Sequence, residues 1–270
     1  MNQRAIILAL IPQSYHRLLF VWALPKKMEC NALIMYTRQP TQLENHAQYL
    51  GNRSTIGGML DKNVVLNSRV LLVSDGLAHP SWPARRWLKR SLQAMPGYVF
   101  QQVASLEVLP QLDVSTFKAI VLYFHHKTIS PSALSCLDEF VRRGGGVLGI
   151  HSATASFKQE PRYFGILGGR FRMHGAVQIF TVYQTRTTDK VFGSLGPFQI
   201  KDELYIHELE PEITIHFETM HEGQSVPVVW TRRYGAGQVC YAMPGHTVES
   251  MKHPMVHDIL RRGLMWVCRS

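Results

Sequence analysis

Cysteine is scarce. Cys30, Cys136, Cys240 and Cys268 are the only four in 270 residues, and no two stand at CxxC spacing. That argues against a disulfide framework or a zinc finger, and the four read as reduced core thiols. No apolar run reaches the roughly 18 residues that cross a bilayer. Internal repeats and low-complexity linkers are missing. So are HExxH and HxH spacings, the compact sequence marks of a metal site. Acids are the minority charge: 19 Asp and Glu against 29 Lys and Arg, for a net charge of +10. A basic balance can mean nucleic acid or an anionic surface. Here it falls in scattered pairs (Arg85–Arg86, Lys89–Arg90, Arg142–Arg143, Arg232–Arg233, Arg261–Arg262), with no helix-turn-helix, finger or RNA-recognition pattern beside them. The pairs read as solvated helix faces. Arg86, Lys89 and Arg90 share one face and stay open as an anion contact.

What is present is a globular chain, 46% hydrophobic and long enough for one large α/β domain. Residues 1–66 are set apart as an N-terminal extension. Arg4 followed by Ala5–Ile11 has the outline of a signal peptide, but no small-residue cleavage site follows and Pro25 with Lys26–Lys27 breaks the next run. A cytoplasmic location is expected, with secretion as the alternative. Residues 67–270 are expected to form one domain.

The stretch Val141–Thr154 organises that domain. A helix over 131–143, apolar at Leu134, Leu137, Phe140 and Val141, stops at Gly144–Gly146. Val147–Ile150 then reads as a strand buried on both faces, with His151, Ser152 and Thr154 at its carboxyl end, where ligands bind in an open α/β sheet. Two earlier strands repeat the pattern. Val70–Val73 leads to Asp75 and His79, and Ala119–Phe124 leads to His125 and His126. The helix over 82–94 and the strand over 98–103, alternating enough to lie toward a sheet edge, complete a parallel βαβ array. After a short helix, strands over 176–183, 213–217, 226–231 and 238–242 follow. A turn at Tyr234–Gly237 joins the last two, and a helix over 254–267 closes the chain. Pro244-Gly245-His246 lies at one more strand exit.

Several of these pieces resemble the trehalose-utilisation (ThuA-like) family, within the class I glutamine amidotransferase-like superfamily. They are Gly144–Thr154, Leu167-Gly-Gly-Arg-Phe-Arg-Met-His174, Asp202-Glu203-Leu-Tyr205, Pro227-Val-Val-Trp230-Thr-Arg, Tyr234–Gly237 and Gly245-His246. The resemblance implies a flavodoxin-like three-layer α/β sandwich. Its central sheet would be mainly parallel, with antiparallel strands added in the C-terminal part. It also implies a role in the metabolism of trehalose or related sugars.

A glutaminase of that superfamily needs a cysteine on a Gly-x-Cys-x-Gly elbow. Here Gly149-Ile150-His151-Ser152-Ala153 puts histidine in that place, and glutaminase activity is rejected. Ser152 as a nucleophile, with His246 and Glu249 behind it, is an alternative that competes with a helix-cap role. The favoured chemistry uses His151, His174 and His246 with Glu203. They could serve as general acid and base on a sugar hydroxyl or carbonyl, or the three histidines, with a carboxylate such as Glu203, could hold a divalent metal, zinc by donor type. Asp75, His79, His125, Ser152, Tyr205 and Trp230 are the expected substrate contacts, although Tyr205 and Trp230 could equally pack in the core. A non-catalytic carbohydrate-binding or regulatory protein is the second reading. The expected partner is a small carbohydrate, and self-association is left open.

Overall fold

The computed structural model describes residues 67–76, 80–186 and 191–269. The expectations for residues 1–66 and for His79 lie outside the described residues.

The chain begins with β1 (Ser68–Ser74), α1 (Trp82–Gln93), β2 (Tyr98–Val103), β3 (Ala119–Tyr123), α2 (Pro131–Arg142) and β4 (Gly146–Ile150). It continues with α3 (Pro161–Leu167), β5 (Gly169–His174), β6 (Gln178–Gln184), β7 (Phe198–Asp202) and β8 (Tyr205–Leu209). β9 (Thr214–His221), β10 (Gln224–Tyr234), β11 (Gly237–Ala242), α4 (Val248–Lys252) and α5 (Pro254–Val267) finish it. Nine strands make one mixed sheet in the order β2-β1-β3-β4-β11-β10-β9-β6-β7. The first five are parallel neighbours, and their order is that of a doubly wound α/β sheet. The last four pair antiparallel and extend the same sheet. The sheet is therefore mixed, with its antiparallel half as broad as its parallel one. β5 and β8 form a separate ribbon.

Two-residue periodicity explains the layers. Val70 and Leu72 of β1 join one apolar cluster with Leu88 of α1 and Ile259 and Leu264 of α5. Leu71 and Val73 join the other, with Leu134 and Leu137 of α2 and Ile166 of α3. β3 divides in the same way, so helices cover both faces of the central parallel strands, and β3 and β4 are buried throughout. β2 is the edge strand and alternates, as its sequence requires. α2 starts on a Ser130 cap with Pro131 in its first turn.

The connector between β2 and β3 contains 3-10 turns at Leu106–Gln111 and Val114–Thr116. The piece around Gly168–Gly169 is a helix end followed by a strand: Gly168 takes a left-handed φ of +80° and caps α3, and Gly169 starts β5. No helix of the described residues is long and apolar enough to cross a membrane.

Candidate functional site

Three strand ends and one ribbon deliver the site. β4 ends in His151, the first residue of a 3-10 turn over His151–Ala155, and its φ of +46° is rare outside glycine. That strain turns the chain sharply, yet the imidazole is fully buried. Nδ1 lies 2.9 Å from the Met243 carbonyl at the exit of β11. A carbonyl only accepts, so Nδ1 carries a proton and Nε2 is the working nitrogen. Nε2 is 3.0 Å from the Tyr205 hydroxyl and 3.4 Å from Glu203 Oε2.

Glu203 stands between β7 and β8. Its Oε2 is also 3.1 Å from His246 Nδ1, and its Oε1 is 3.6 Å from His174 Nδ1. Burial works to raise the Glu203 pKa. The hydrogen bond from His151 and the charges of His246, His151 and His174 outweigh it and bring the value down to about 2. Glu203 is a carboxylate at neutral pH. Tyr205 goes the other way: burial, then the neighbouring Tyr241 and Glu203, raise its pKa, so it keeps its proton.

Asp202 builds the frame. Its buried carboxylate accepts from the backbone N–H of Glu203 (2.8 Å), Gly245 (2.8 Å) and His246 (3.1 Å) and from the Ser250 hydroxyl. Tyr123 donates to the Gly245 carbonyl at 2.5 Å. Gly245 has φ +154°, and a Cβ there would press on His151 Cβ at 3.0 Å. The turn that carries His246 thus needs glycine beside β4.

Of the expected residues, His151, Glu203, His246 and Tyr205 meet. His174 lies at the exposed rim, its Nδ1 also 2.7 Å from the Gly175 carbonyl. Among the described residues, His151, Glu203 and His246 each offer a ligand atom within 4.8 Å of the others. Glutamate, not His174, is the third member of that group. Glu203 Oε2 is buried between the two imidazoles, an oxygen suited to a cation. Trp230 packs in the core, fully buried, with Nε1 donating to the Leu167 carbonyl at 2.9 Å. Ser152 is also fully buried, and its Oγ has no hydrogen-bond partner. It caps no helix and bonds to no base. Asp75 lies 3.6 Å from His126 and 3.9 Å from Arg85 at the β1 and β3 exits. His125 is exposed beside them, its pKa lowered by partial burial and then by Lys158.

One group escaped the sequence reading. His207 donates from Nε2 to Thr154 Oγ1 (3.0 Å). Thr154 donates to Tyr241 (3.0 Å), and Tyr241 to the His151 carbonyl (2.8 Å). Burial, then the charge of His151, pushes the His207 pKa down to about 3 and keeps it neutral. The alternation Tyr205-Ile206-His207 along β8 was the signal that could have placed it on the site's side.

The sequence model of the ThuA family, described as trehalose utilisation, matches residues 69–267. The chain belongs to the ThuA family. A comparison with curated proteins found no match. Among solved structures, a ThuA-like protein from Bacteroides uniformis superposes with a TM-score of 0.66 at 15% identity, covering 78% of this chain and 95% of its own. One from Parabacteroides merdae gives 0.66 at 19% identity, with 74% and 90% covered. A β-galactosidase from Bacillus circulans gives 0.55 at 13% identity, with 75% of this chain matched to 30% of that one. At such identities the likeness is one of fold. The ThuA match spans both halves of the sheet and every residue of the cluster.

Proposed function

We propose that this ThuA protein acts on a small carbohydrate by proton transfer at a sugar hydroxyl or carbonyl, through His151, Glu203 and His246. The observation behind it is the contact of one carboxylate oxygen with two imidazoles, 3.1 Å from His246 Nδ1 and 3.4 Å from His151 Nε2. Roles follow from the chemistry. Glu203, ionised at neutral pH, cannot be the acid; it orients the imidazoles and stabilises them when protonated. His246, partly exposed, is the residue placed to give or take a proton at a bound sugar. His151, anchored by Met243, accepts from Tyr205 at Nε2 or, when protonated, donates toward Glu203. His174 and Phe171, on the ribbon, are placed to contact the ring.

The donor set also suits a divalent cation such as zinc, held by His151, Glu203 and His246. A bound metal would supply Lewis-acid polarisation of a sugar oxygen. Glutaminase chemistry lacks its thiol, since histidine stands at the elbow. A Ser152 hydrolase lacks the serine–base hydrogen bond. We assign the parallel half of the sheet to the flavodoxin-like class, residues 67–270 to one domain, and the protein to the cytoplasm, in keeping with a chain of only four cysteines, none at CxxC spacing.

The test is a turnover and binding screen of trehalose, related disaccharides and their keto forms, with and without added zinc. Turnover of at least one, lost in His246→Ala, is the expected result. Binding without turnover would favour the non-catalytic reading, and no binding at all would remove the carbohydrate.

A further inference from the structure

Strand pairing in the antiparallel half leaves a cleft. β6 pairs with β7 from Gln178↔Asp202 to Val182↔Phe198. With β9 it pairs only at Tyr183↔Glu218 and Gln184↔Phe217. Beyond that point the two strands separate, and a cavity of about 240 Å³ lies along them. In an antiparallel ladder alternate residues bond to each neighbour. Among the described residues, no strand pairs with the β6 backbone groups that face β9 along the cleft.

The lining is polar and holds no carboxylate, ammonium or guanidinium group; its one imidazole, His221, lies 3.9 Å from Glu222. Gln178, Thr181 and Gln199 supply amide and hydroxyl groups, and Tyr183 and Met220 supply exposed apolar surface. No Asp, Glu, Lys or Arg is among the lining residues. Apart from the His221 imidazole, a charged ligand would find no countercharge among the lining residues. A neutral polyol would find hydrogen-bonding partners and an aromatic face.

Its place in the fold ties it to the cluster. Gln178 is paired with Asp202, the residue before Glu203. Leu204 lines the cleft, and its two sequence neighbours, Glu203 and Tyr205, are in the cluster. At about 240 Å³ the cavity falls below the roughly 300–1,000 Å³ of pockets for drug-sized ligands, and suits one ring.

We propose that this cleft is a second carbohydrate subsite, holding the sugar ring next to the one bound at the cluster. This rests on the carbohydrate reading above, so the experiment separates the two. Binding of trehalose and of glucose is measured by calorimetry for the wild type and for Thr181→Trp, which fills the cleft. Tyr183→Ala, a truncation at a 45% exposed residue, guards against misfolding. Glu203→Gln reports on the cluster. The expected result is trehalose affinity about five- to tenfold weaker in both cleft variants, with glucose affinity unchanged. Glu203→Gln should weaken both sugars. Unchanged trehalose affinity in the cleft variants, while Glu203→Gln loses binding, overturns the subsite and leaves the cluster standing. Equal loss of both sugars in the cleft variants also overturns it. If neither sugar binds the wild type, the subsite falls together with the carbohydrate reading.

Discussion

Asp202 accepts hydrogen bonds from the backbone of His246 at 3.1 Å and of Glu203 at 2.8 Å. One buried carboxylate thereby sets the gap between Glu203 and His246, whose side chains approach to 3.1 Å. It does so from a fully buried position. Asp202→Asn keeps the shape but turns one acceptor oxygen into an amide donor facing other donors. The expected cost is about 1.5–3 kcal/mol of stability, with turnover lost as the turn at Gly245–His246 loosens. Urea unfolding and kinetics on the same sample measure both, and Ser250→Ala should cost less.

Glu203 makes a pH prediction. Its pKa falls from an ordinary 4.5 to about 2 in the folded protein. The unfolded state binds the proton first as pH drops, so the stability Glu203 contributes is present above about pH 4.5 and is lost as pH falls toward about 2. Glu203→Gln removes that component. Denaturant midpoints for both proteins between pH 5 and 2.5 should converge as the pH falls; a constant gap would contradict the ion-pair account.

His207 works in a different window. Its pKa is lowered from 6.5 to about 3, so between those values the unfolded chain holds a proton that the folded chain refuses. Stability therefore declines as pH drops below 6.5. His207→Gln retains a donor for Thr154 and should flatten that slope, read as the dependence of melting temperature on pH from 7 to 4. An unaltered slope would place the burden on other groups.

Trp230 separates core from site. Its ring is fully buried, and Gly169 leaves room for it, since a Cβ there would sit 2.6 Å from Trp230 Cζ2. Trp230→Phe should cost about 1–3 kcal/mol through lost volume and the lost bond to Leu167, with sugar affinity unchanged in the folded fraction. Calorimetric binding at low temperature checks this.

The contrast between Trp230 and His151 shows what the chain made legible. His151 was placed by the end of a buried apolar run, and His246 by a glycine at another strand exit. Period changes mark strand ends, and strand ends in a parallel sheet share one edge. α5 was readable to its residue limits, from Pro254 to Val267. Trp230 was ambiguous because a tryptophan in a strand suits either a core or a sugar ring, and the glycine that seats it is 61 positions earlier. His174 was expected among the metal ligands. Its register in the ribbon puts it at the rim instead, where solvent and the Gly175 carbonyl compete for it. The frame built by Asp202 was hidden because its partners are mostly backbone amides, which carry no residue signature. Neither was the mixed sheet visible as one layer: which antiparallel strand joins β11 depends on long-range pairing, not on local alternation.

The most direct test is the turnover of the best carbohydrate from the screen by Glu203→Gln, which keeps size and shape and removes the charge. The account predicts a fall of roughly a hundredfold or more, in the range of general acid–base contributions, with the fold intact by circular dichroism. Turnover within twofold of the wild type would contradict it.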